Sequence, residues 1–128
     1  MTVLYIDDDP DDRKIFQDAL AVVDLSYRYI EAHDGKSALE TLDSIIPDCI
    51  FLDVNMAETS GREVLLHIRS LNNLRHVPVV MFSTWMSRDD IVEFKSNGAT
   101  HGIEKPWSFD ELCSILRSVI HDLTTSSE

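Results

Sequence analysis

Little in this chain could staple it, divide it or draw it to nucleic acid. Its 128 residues include two cysteines, four glycines and four prolines. Cys49 and Cys113 form no disulfide framework, and neither they nor the five scattered histidines fall at metal-ligand spacing. No stretch reads as a linker, an internal repeat or a second domain. Basic residues are also scarce, 11 against 23 acidic ones, for a net charge of −12. Nucleic-acid binding needs a basic footprint, so direct contact with DNA or RNA is not expected. The acidity favours divalent cations and partners with basic patches. No apolar run approaches the ~20 residues of a membrane span. No basic segment followed by an apolar one opens the chain, so neither a signal peptide nor a membrane anchor is expected, and a cytoplasmic location is.

What the chain does contain is a fivefold alternation. Strand-like apolar runs cover Val3–Ile6, Tyr27–Glu31, Cys49–Leu52, Val79–Phe82 and His101–Glu104. Helical periodicity fills the intervals. The first helix sets Ile15, Phe16, Ala19, Leu20 and Val23 on one face, with Asp9 as its cap and Pro10 at its first position. The second uses Ala38, Leu39, Leu42, Ile45 and Ile46 and stops before Pro47; the third uses Val64, Leu65, Ile68 and Leu71. The fourth, Ser87–Ser96, opens on a Ser87/Asp90 capping box but has the weakest apolar face, so it is expected to be the least firmly docked. The fifth uses Phe109, Leu112, Ile115, Leu116 and Val119. Strands alternating with single helices imply right-handed crossovers. The expected fold is α/β, a three-layer doubly wound sheet of five parallel strands. Residues 1–123 form the domain and 124–128 a polar tail, expected to fray.

In such sheets ligands bind beyond the carboxyl ends of the strands, where strand order reverses. Asp7 and Asp8 follow the first apolar run, Asp53 the third, Ser83 the fourth and Lys105 the fifth. Each has an ordinary explanation alone: an acid run before a proline caps helices, and an Asp after a strand forms turns. Together they put acids, one hydroxyl and one amine at one edge. Two like charges 4 Å apart repel by ~4 kcal/mol at an effective dielectric near 20, a repulsion that a divalent cation relieves. Hard oxygens, few carboxylates and room for a phosphate oxygen suit Mg²⁺.

On these motifs the sequence, over about residues 2–121, resembles the response-regulator receiver domain of two-component signalling. The resemblance implies the flavodoxin-like strand order 2-1-3-4-5. It implies that Asp53 is the phosphoacceptor, that Ser83 and the Thr84 backbone amide bond the phosphoryl group, and that Lys105 pairs with it. Mg²⁺ would be held by Asp8, Asp53 and the Asn55 carbonyl, with Asp7 acting through water. Lys105 and the metal would keep Asp53 ionised. Gly61 matches the glycine that opens the third helix, and Lys105–Pro106 is expected to be a cis bond. The implied partners are a sensor histidine kinase or histidine phosphotransfer protein, a downstream protein, and a second copy through the fourth helix, fifth strand and fifth helix. Gly61-Arg62-Glu63-Val64-Leu65 and Ser83-Thr84 resemble the phytochrome-associated members. The resemblance implies that the chain catalyses its own Mg²⁺-dependent phosphorylation and dephosphorylation, with no turnover of a separate substrate expected. Aspartyl-phosphate hydrolases share nucleophile, metal and lysine, but use a second acid where this chain has Asn55.

The chain departs from the family pattern at two positions. Ala57 stands where a proline is usual, so the loop after Asp53 is expected to be looser. Gly102 stands where an aromatic residue usually swings inward during switching. With no side chain to swing, the loop Thr84-Trp85-Met86 is expected to carry the signal from Ser83.

Overall fold

The computed structural model describes residues 1–125. Its elements alternate as β1 (Thr2–Ile6), α1 (Pro10–Val23), β2 (Arg28–Ala32), α2 (Gly35–Ser44), β3 (Cys49–Asp53), α3 (Gly61–Ser70), β4 (Val79–Ser83), α4 (Arg88–Ser96), β5 (His101–Glu104) and α5 (Phe109–Thr125). A 3-10 turn at Asn72–Leu74, not anticipated from periodicity, precedes β4. All strands run parallel, in the order β2-β1-β3-β4-β5, as expected. The reversal point therefore lies between β1 and β3.

Alternate residues of a strand face opposite sides, and this sheet is covered on both. Val3, Tyr5, Phe51, Val80 and Phe82 meet α1 and α5. Leu4, Ile6, Ile50, Leu52 and Met81 meet the core contributed by α2, α3 and α4. Every residue of β3 and β4 is buried. On the first face the Tyr5 ring stacks on Phe16 with centroids 4.0 Å apart, and Phe82 meets Tyr5 edge-on at 6.4 Å. Such pairs contribute roughly 0.5–1.5 kcal/mol beyond their burial. They also fix the floor beneath the polar edge.

Asp9 caps α1 through the Asp11 and Asp12 amides, with Pro10 in the first turn. The Ser87/Asp90 capping box is present, and α4 buries Phe94 alone. Several side chains depart from the expected faces. α2 ends at Ser44, leaving Ile45 in its extended cap and Ile46 exposed. A residue before proline is pushed out of helical conformation, and Ile46 precedes Pro47. Ile15 is also exposed, whereas Leu71, though the extended cap of α3, still packs on the core. α5 continues through Thr125, so two residues of the expected tail are helical; their hydroxyls each donate to the His121 carbonyl at 3.0 Å. Residues 126–128 of that tail lie outside the described residues. Among the described residues no helix is long and apolar enough to cross a membrane.

Candidate functional site at the carboxyl edge

Four strands deliver the site. β1 ends at Ile6, so Asp7 and Asp8 emerge side by side and diverge. Asp7 is buried and Asp8 exposed. The Asp7 carboxylate accepts hydrogen bonds from the Tyr5 hydroxyl at 2.6 Å, the Asp9 amide at 3.0 Å and the Lys105 ammonium at 2.9 Å. Arg13 donates to the Asp7 carbonyl at 2.9 Å and pairs with Glu31 at 2.8 Å, closing the first turn of α1 over β2. Asp53 ends β3, paired in register with Phe82 of β4, and is buried. One carboxylate oxygen from each of Asp7, Asp8 and Asp53 can be chosen so that all lie within 4.8 Å of one another.

The third helix approaches closely because its first residue is glycine. The Gly61 amide donates to the Val54 carbonyl at 2.8 Å, and a β-carbon on Gly61 would run into the Asp53 carbonyl oxygen. Ser83, fully buried at the end of β4, accepts from the Asn55 side-chain amide at 3.2 Å and from the Trp85 backbone amide at 3.3 Å. Thr84 and Asn55 are exposed beside it. Of the loop expected to carry the signal, Trp85 is 78% exposed, whereas Met86 packs on the core and its amide donates to Glu104 at 3.1 Å.

Lys105 arrives from β5 and reaches three carboxylates: Asp7 and Asp12 at 2.9 Å each, and Asp53 at 3.3 Å. It does so across a trans Lys105–Pro106 bond, since no described peptide bond is cis. The expected cis bond is thus not found. Trans is the intrinsically favoured isomer by about 0.5–1 kcal/mol, and the long lysine stem needs no help to reach Asp53. The loop after Asp53 is tied to Asp8 at the position where proline is usual: the Ala57 amide donates to the Asp8 carboxylate at 2.8 Å, a bond that a proline, lacking N–H, has no means to make.

Electrostatics separate the groups. Burial pushes the Asp53 carboxyl up to about 6, with the neighbouring charge of Asp7 acting the same way; Lys105 and the Asn55 backbone amide oppose the shift without cancelling it. Lys105 thus favours the ionised form of Asp53, as expected, but against a larger effect of burial. Burial tends to lower Lys105, but its bonds to Asp7 and Asp12 and the charge of Asp53 outweigh burial and raise it. The Tyr5 phenol is raised, first by burial and then by Asp7, so it stays a donor.

Oxygen donors alone, with one acid open to solvent, fit a hard divalent cation such as Mg²⁺ better than a soft metal. Asp8 borders a hollow of about 510 Å³ with Arg13, His33 and Asp34 on its walls. On the other side, beside Lys105 and Thr84, a cleft of about 270 Å³ is floored by Tyr5, Phe16 and Phe82 and rimmed by Ile15, Trp107 and Phe109.

The edge assembles the acids, hydroxyl and amine singled out from sequence. Tyr5, Asp12 and Arg13 escaped notice. Tyr5 lies two residues before Asp7, hence on its side of the strand, which is a readable signal. Asp12 reads as one more acid favouring a helix N-terminus, and nothing local links it to Lys105.

Comparison with known proteins agrees with this geometry. The polar-differentiation response regulator DivK of Brucella anthropi is 26% identical over 121 residues, 94% of this chain and 97% of DivK. The phosphorylated cyanobacterial phytochrome response regulator RcpA superposes with a TM-score of 0.85 at 27% identity, over 98% of this chain and 94% of its own. The Mn²⁺-bound response regulator Rcp1 gives 0.79 at 25% identity, over 92% and 90%. Residues 3–117 match the model of the response regulator receiver domain, and the chain belongs to that family of two-component signalling proteins.

Proposed function

We propose that this receiver takes a phosphoryl group from the phosphohistidine of a sensor kinase or histidine phosphotransfer protein onto Asp53, and signals through protein contacts. The observation that carries the reading is the setting of Asp53: a buried carboxylate grouped with Asp7 and Asp8 within 4.8 Å and lying 3.3 Å from the Lys105 ammonium. An Asp53 oxygen attacks phosphorus in line, the phosphorus–nitrogen bond breaks, and the histidine leaves with the bonding pair. Lys105 offsets charge on the transferring oxygens, and most of what phosphoryl transfer asks of a protein is such positioning and charge. Asp8, Asp53 and the Asn55 carbonyl, with Asp7 behind them, would hold Mg²⁺, which when bound neutralises phosphoryl charge. The Ser83 hydroxyl and the Thr84 amide flank the place the phosphoryl group would take. Relatives support this reading, RcpA having been seen phosphorylated and Rcp1 with Mn²⁺. Exposed Ile15, Trp107 and Phe109 around the Lys105 cleft offer an apolar landing surface for the histidine-bearing partner. The face of α4, β5 and α5 is the proposed surface for a downstream protein or a second copy, and the cytoplasm the proposed compartment.

Intact mass after treatment with acetyl phosphate tests the assignment. Wild type should gain one phosphoryl group with Mg²⁺ present, and Asp53→Asn none. An equal gain in the variant would overturn it. The pH dependence has a definite sign. Because burial pushes the folded carboxyl up to about 6 from an ordinary value near 3.8, the folded state binds more protons between those values. Without divalent cations, stability should fall as pH rises through that window. Asp53→Asn should therefore melt above wild type at neutral pH, with the difference closing below the window or on adding Mg²⁺. Thermal melts across pH check this.

A further inference from the structure

Lys105 has three carboxylate partners, and they are not equivalent. Asp7 and Asp53 belong to the trio whose oxygens converge within 4.8 Å; Asp12 does not. Asp12 comes from the first turn of α1, is partly exposed, and meets the ammonium at 2.9 Å on the rim of the Lys105 cleft. The other contacts of the ammonium are the ring of Phe82, 5.9 Å away, and the carboxylates of Asp7 and Asp53. A divalent cation among Asp7, Asp8 and Asp53 draws their charge and adds a positive neighbour to Lys105. Like charges at such range repel, and the ammonium would be driven outward. The acid that can still offset its charge is Asp12.

We infer that Asp12 is a positioning residue for Lys105: it holds the ammonium beside Asp53 once the acid trio carries a cation. The inference rests on the phosphoacceptor reading for its consequence, but not for its test. Asp12 lies three positions past the Asp9 cap, to which its backbone amide rather than its side chain donates, so the conservative variants should fold.

The direct readout is the ring-current shift that Phe82 imposes on the Lys105 ε-methylene, followed by NMR as Mg²⁺ is added. In wild type and Asp12→Glu the shift should persist at saturating Mg²⁺. In Asp12→Asn it should move toward the value of a free lysine. Persistence in Asp12→Asn would overturn the inference, whether or not Asp53 accepts a phosphoryl group. The second readout is the rate of labelling by acetyl phosphate at saturating Mg²⁺. Asp12→Asn should slow it by roughly tenfold, the scale of one charge-assisted hydrogen bond. Adding Asp12→Asn to Lys105→Met should cost nothing more. A further loss in that background would mean that Asp12 acts other than through Lys105. If wild type were not labelled at all, the phosphoacceptor reading would fail while the NMR readout still decided the role of Asp12.

Discussion

Helix α5 lays six buried side chains, Leu112, Cys113, Leu116, Val119, Ile120 and Leu123, against the sheet, whereas α4, on the other side of β5, buries Phe94 alone. The remaining attachment of α4 is largely polar. Arg62, next to the glycine that abuts Asp53, donates to Glu93 at 2.9 Å, approaches Asp90 at 3.6 Å and lies over the Phe94 ring at 4.9 Å. Ile91 covers Gly102, where a β-carbon would come within 3.1 Å of the isoleucine side chain. One helix is thus part of the core, while the other rests on a ring, a guanidinium and one aliphatic contact. Local opening is cheapest where few apolar contacts are buried. The face proposed for downstream contacts therefore joins a fixed element to a loosely held one.

The sharpest way to break that comparison is to empty the core on each side. Phe94→Ala and Leu116→Ala should each cost several kcal/mol in urea denaturation, about 3–5 for the ring and 2–5 for the leucine. Their hydrogen-exchange patterns should differ. In Phe94→Ala the α4 amides should exchange through a local opening, ahead of the rest of the protein. In Leu116→Ala the α5 amides should exchange only with global unfolding. Equal protection of both helices in both variants would remove the distinction.

A smaller effect is expected from Arg62→Ala. Its ion pairs are partly exposed, so the loss should be about 1 kcal/mol or less. Exchange should quicken in α4 and stay unchanged in α5. Acceleration in both helices would mean that the clamp supports the whole domain rather than α4.

Much of this was legible in the residue order, because strand periodicity and strand-end chemistry are local. Five apolar runs, the Asp9 cap, the Ser87/Asp90 box and the weak face of α4 all reflect neighbours a few residues apart. The grouping of Asp7, Asp8, Asp53, Ser83 and Lys105 followed once those runs were taken as parallel strands. What stayed hidden depends on partners distant in sequence. Lys105 meets Asp12 across 93 positions, and the Ala57 amide meets Asp8 across 49. Burial of Asp53 beneath its neighbours, which raises its pKa despite Lys105, also has no local sign. The helix faces fared less well at one end: Ile46, before Pro47, keeps the spacing of a core residue without the backbone to use it.

The bond from Ala57 to Asp8 reaches beyond its own loop. One Asp8 oxygen is engaged by that amide, and the carboxylate so held has an oxygen within 4.8 Å of those of Asp7 and Asp53. The side chain has thereby chosen its rotamer before any ligand arrives, and part of the ordering entropy of binding, up to about 1 kcal/mol for such a side chain, is already accounted for in the fold. The dependence is mutual. A solute that fixes Asp8 also quiets the backbone at Ala57, and a partner that seizes the loop at Ala57 changes the affinity of the acidic trio by the same factor.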